Sequence, residues 1–145
     1  MKTGKAGMQL GTIWVPVFIG TIAMALTVNS PLLRQQVVYC HSQSIGATPV
    51  AASVTIPFRG TVVEVGCVPS GTVTSTTSIS YNVNGNLMTG SPMSLVSTGA
   101  GIGIAVSAAP SGNNAVNQGD YLVFTPGSGA GAAVPAMFYA VVRAG

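Results

Sequence analysis

SISYNVNGNLM, residues 78–88, alternates apolar and polar side chains, breaks at Asn84-Gly85 and then resumes. In an extended chain successive side chains point to opposite faces, so Ile79, Tyr81 and Val83 share one face while Ser78, Ser80 and Asn82 share the other. Asn84 and Gly85 both tolerate positive φ, which the type I′ turn between adjacent antiparallel strands requires. The stretch predicts a hairpin over residues 76–95 with a polar outer face.

The same rhythm runs through most of the chain. QQVVYCH (35–41), AASVTIPF (51–58), GTVVEVGCV (60–68), TTSISYNV (76–83), NLMTGSPMSLV (86–96), GIAVSA (103–108), DYLVFTP (120–126) and AMFYAVV (136–142) are rich in β-branched and aromatic residues. Pro69-Ser70-Gly71, Asn84-Gly85, Ser111-Gly112-Asn113-Asn114 and Gly127-Ser128-Gly129 punctuate them. Short strands with a turn every ten or so residues predict an all-β chain, an antiparallel β-sandwich or jelly roll of about eight strands. No window of helical length keeps an i, i+3, i+4 apolar pattern free of Gly or Pro.

Residues 1–34 read differently, as an extended N-terminal arm ahead of a β-sandwich domain at 35–145. MKTGKAGMQLGTIWVPVFIGTIAMAL has two lysines, an apolar stretch from Ile13 and a cleavage-like Ala23-Met24-Ala25, the features of a secretory signal. Gly11, Pro16 and Gly20 interrupt the apolar run, which falls short of the roughly 20 residues a bilayer demands. Neither a stable helix nor a membrane span is expected, and no membrane partner. Ile13, Trp14, Val15, Val17, Phe18 and Ile22 then need a partner surface, and the arm is expected to supply capsid or inter-subunit contacts of the kind named below. Trp14 is the expected anchor, since large aromatics dominate interface energetics.

Charge is scarce. Only 5% of the 145 residues are charged, namely Lys2, Lys5, Arg34, Arg59, Glu64, Asp120 and Arg143, against about 25% in average soluble proteins. Five scattered cations make no stripe able to follow a run of phosphates, so no nucleic-acid partner is expected. One His, one Asp and one Glu offer little to a hydrolase or transferase, which needs an acid, a base or an activated nucleophile acting together. His41 beside Cys40 would face the opposite side of a sheet, which argues against a dyad. GAGIGIA (99–105) lacks the strand–helix context of a dinucleotide-binding loop, and Asp120 after NQG reads as a turn residue. No metal, no cofactor and no catalysis are expected. Cys40 and Cys67 carry no metal-binding spacing; they read as buried thiols, with one disulfide in an oxidising compartment as the other possibility.

Residues 56–142 resemble the small β-domains of tailed-bacteriophage virion proteins, above all capsid decoration (cement) proteins and head-fibre domains. IPFRGTVVEVGC opens the first core strand, TSISYNVNGNLMT carries the central Asn-Gly hairpin, and SGNNAVNQGDYLVFT sets a turn before a late strand. GTIWVPV (11–17) is similar to the strand with which some decoration proteins begin. The resemblance implies a homotrimer on the outer capsid surface, assembled in the host bacterial cytoplasm, that clamps neighbouring subunits of the major capsid (coat) protein. In that reducing compartment both cysteines stay reduced. A receptor-binding, head-fibre or tail-fibre module would share the sandwich, and a secreted or pilin-like surface protein would use residues 1–25 as its signal.

Overall fold

The computed structural model describes residues 34–96, 104–127 and 133–145. The chain divides into two units, Met1–Arg34 and Gln35–Gly145. The described residues of the second form ten strands: β1 (Gln35–Ser42), β2 (Ala52–Thr55), β3 (Gly60–Pro69), β4 (Thr77–Val83), β5 (Asn86–Leu87), β6 (Met93–Leu95), β7 (Val106–Ala108), β8 (Ala115–Val116), β9 (Tyr121–Pro126) and β10 (Ala136–Ala144). All pairings are antiparallel. They make two five-stranded sheets, one ordered β1-β10-β3-β7 with β8 also on β3, the other β2-β9-β4-β5 with β6 also on β4. The fold is an all-β sandwich. None of the described residues forms a helix long and apolar enough to cross a membrane.

The opening stretch folds as its residues require. Asn84 and Gly85 take φ of 51° and 86°, both positive as in a type I′ turn, and the Asn82 side chain accepts a hydrogen bond from the Gly85 N–H at 2.9 Å. Ile79, Tyr81 and Val83 are buried, while Ser78, Ser80 and Asn82 face outward. The returning arm is not one strand. Gly90, at φ 103°, turns the chain so that β5 and β6 meet different parts of β4. That division, with the two-residue β8, turns about eight expected strands into ten.

A bulge decides which way β3 faces. Val141 pairs with Glu64 but Val142 with Val62, leaving Val63 as the extra residue. Val62 and Val65 are three apart, so strict alternation would send them to opposite faces; with the bulge both are fully buried. The core between the sheets is closed by Phe124 of β9 and Phe138 of β10, stacked with centroids 4.8 Å apart, among Ile56, Ile79, Tyr81, Leu122 and Val142.

Candidate functional site

Past the bulge, Glu64, Gly66 and Val68 point away from the core, and the strand register lines up their neighbours. Four rows cross the outer face of the first sheet: Gln35–Arg143–Thr61, Val37–Val141–Glu64, Tyr39–Tyr139–Gly66 and His41–Met137–Val68. The middle rows carry apolar and aromatic side chains where a solvated sheet face carries polar ones. Val37 is 59% exposed, Tyr39 67% and Met137 37%.

Tyr139 organises the centre of this face. Its ring lies over Gly66, where any Cβ would collide with ring atoms Cε1 and Cζ. Its hydroxyl donates to Glu64 Oε1 at 2.9 Å. Burial raises the Tyr139 pKa, the Glu64 hydrogen bond and negative charge raise it further, and a hydrogen bond with Ser107 opposes them. A carboxylate held against a phenol, an open aromatic ring at Tyr39 and aliphatic neighbours can bind by contact and hydrogen bonding.

The other outer face is built from Ser53, Thr55, Ser78, Ser80, Asn82, Ser94 and Thr125 around the half-buried Val123, with Tyr121 and Leu87 exposed. Its hairpin thus bears one apolar exception to the expected polar surface, Leu87 at 57% exposure. At one end of the sandwich a cleft of about 230 Å³ is lined by Val83, Asn84, Asn86, Asn113, Ala115 and Asp120. Asp120 is a turn residue here, accepting from the Asn117 N–H at 2.7 Å and from Asn84 Nδ2 at 2.9 Å. These bonds, the Asn117 one first, hold its carboxyl below the usual carboxylate range. Among the described residues no three His, Cys, Asp or Glu side chains converge as metal ligands would.

Cys40 and Cys67 are free. Both flank Phe138, one from each neighbouring strand, so two strand spacings, roughly 10 Å, separate their backbones, beyond the span of a disulfide. Burial pushes the thiols up to about 11 for Cys40 and about 12 for Cys67. His41 is exposed on the opposite face from the half-buried Cys40, as strand alternation requires.

The expected contact residues Ile13, Trp14, Val15, Val17, Phe18 and Ile22 lie outside the described residues. Sequence reading passed over the face on β1 and β10. Its signal was present in Val37-Val38-Tyr39 and in Met137 to Val142, where apolar residues occupy both parities of the strand.

No family model matches the chain, and no curated protein does. Solved structures with a similar strand arrangement include the module CsCBM6-3 from Clostridium stercorarium in complex with cellobiose (15% identity, 77% of this chain and 83% of that one, TM-score 0.49). A family 35 carbohydrate binding module from Clostridium thermocellum is 16% identical over 77% of this chain and 92% of that one, with TM-score 0.46. A chain of the acidic stable capsid of Helicobacter pylori bacteriophage KHP30 is 15% identical over 74% and 91%, with TM-score 0.43. Scores below 0.5 at these identities carry nothing about function.

Proposed function

We propose that this chain is a structural virion protein that binds the outer surface of a bacteriophage capsid and stabilises it by bridging neighbouring coat subunits. It works by contact area, without catalysis. The observation that carries the reading is the outer face of the first sheet, where Val37, Tyr39, Tyr139, Val141 and Met137 form an apolar tract on a domain with very few charges. Burying such a tract takes one carboxylate from water, Glu64, which keeps the Tyr139 hydrogen bond, so the desolvation that penalises charged contacts is confined to that group. Apolar surface of this kind marks an interaction site on soluble proteins. The resemblance of IPFRGTVVEVGC and SGNNAVNQGDYLVFT to decoration-protein segments points the same way, and a homotrimer is the assembly it implies.

The test is co-sedimentation of the full chain with capsids that lack it, followed by stoichiometry. Saturable binding at a copy number comparable with the coat protein supports cement; a few copies per particle would replace it with a fibre or tail role. The exposed Tyr39 beside the half-buried Tyr139 favours a receptor-binding module as the second reading, because tyrosines suit binding hot spots. Binding to host cells but not to capsids would select it.

A further inference from the structure

The four sheet edges are unequal. β2 has four residues, β5 and β6 two and three, β7 and β8 three and two, and short edges of this kind are how sheet proteins avoid unwanted pairing. β1 has eight and, among the described residues, pairs only with β10. From Gln35 to Cys40 it contains no charge, no proline and no bulge, the devices that normally blunt an edge. Val38 and Cys40, which face the second sheet, are only half-buried, as side chains are when the next strand of their layer is missing.

The ends of this edge differ in charge. Arg143 stands directly opposite Gln35, and Arg59 lies on the neighbouring chain segment, its carbonyl accepting from the Gly145 N–H. Both are exposed. At the other end, Ser42 pairs with Ala136, with no charge nearby in register. An added strand therefore meets apolar residues over Val37–Cys40 and cations at the Gln35 end.

We infer that the β1 edge takes an extended strand from the coat protein, alternating in apolar residues and carrying an acidic side chain at the end that lies by Gln35 and Arg143. This rests on the capsid-binding reading and names its mode. A second copy of β1 does not fit the description. Run antiparallel it brings Ser42 to the cationic end, and run parallel it brings Gln35 beside a further arginine. The chain's two acidic side chains are elsewhere, Glu64 held by Tyr139 and Asp120 by Asn117 and Asn84.

The probe is a synthetic peptide alternating Val and Thr with Asp at one terminus, made in both directions, and its Lys counterpart. The full chain is mixed with each and amide hydrogen exchange is read along β1. The Asp peptide in one direction should slow exchange at alternate amides of Gln35–Ser42 and bind roughly threefold more tightly than the Lys peptide, the size of one exposed ion pair. The preference should shrink with salt and fall in Arg143→Gln, with Arg59 still in place. Val37→Lys, which alters an exposed side chain and no core contact, should lose the protection while its near-ultraviolet circular dichroism stays unchanged. Protection at β2 or β7 instead, equal binding of Asp and Lys peptides, or β1 already protected in the free chain would each overturn the inference. In the last case, dependence on protein concentration identifies a second copy as occupant, and independence identifies residues 1–33. Capsid co-sedimentation separates the two claims: if wild type and Val37→Lys bind equally, strand addition fails and capsid binding rests on the rest of the tract, Tyr39, Tyr139 and Met137; if wild type does not bind, the capsid reading fails while the peptide result still decides the edge.

Discussion

Gly66→Ala should destabilise the domain through Tyr139 alone. The added methyl would overlap ring atoms Cε1 and Cζ, so the ring has to swing off the sheet. Leaving its place breaks the 2.9 Å bond to Glu64; a hydrogen bond to a charged acceptor contributes about 1.5–3 kcal/mol, and the low end applies to this half-exposed site. A displaced, off-rotamer side chain adds about 1 kcal/mol. Against these, alanine loses less backbone freedom than glycine in a strand, a relief of about 0.5–1 kcal/mol. The net cost is about 2 kcal/mol, or a Tm lower by roughly 8 °C in a domain of roughly a hundred residues. Urea unfolding of the full chain followed by circular dichroism measures it. The decisive arm is the double-mutant cycle with Tyr139→Ala, in whose background Gly66→Ala should be neutral or slightly stabilising. An equal cost in both backgrounds would refute the proposed contact and require a different reason for a glycine at this position.

Other expected outcomes test the turn, the core and the titrating groups. Gly85→Ala should cost about 1 kcal/mol by chemical denaturation, because φ is +86° but no atom lies within 4 Å of a Cβ there, so the penalty is conformational alone. The Tyr81 hydroxyl is buried with no hydrogen-bond partner among the described residues, so Tyr81→Phe should leave stability unchanged or raise it by about 1 kcal/mol, in contrast to most core substitutions. The thiol values of about 11 and 12 lie above the ordinary 9.0: the native state keeps protons that the unfolded chain releases, so stability should hold below pH 9 and fall as pH rises toward 12. Thiol titration should accordingly be slow in the native protein at pH 8 and count two cysteines after denaturation without reductant.

What could be read directly from the residues was local. Ile79, Tyr81 and Val83 declare their face because alternation and the Asn84-Gly85 turn lie within a dozen positions of one another. The Val63 bulge is different, for it exists only in the register of β3 against Val141 and Val142, far along the chain. Once it is missed, Glu64 and Gly66 cannot be assigned to the outer face. Tyr139 over Gly66 is likewise a pairing between distant strands, so nothing local marks this glycine as the seat of the aromatic ring. The arm residues were conspicuous as an unpartnered apolar cluster, whereas the β1 edge became visible only when the lengths of all the edges could be compared.

The position of β10 has a consequence for how the domain is made. Residues 136–144 lie between β1 and β3, so an interior strand of one sheet is also the last of the ten to be synthesised. Until it arrives, β1 has no neighbour within its sheet among the described residues, and β3 has there only the short β7 and β8. The domain cannot fold progressively from its N-terminus; it must wait and then close loops spanning most of its length, the regime in which β-proteins fold in milliseconds to seconds. During that wait QQVVYC is exposed on a nascent chain. Slow synthesis through the stretch before residue 136 should lower the soluble yield, and brief chaperone occupancy of β1 should restore it.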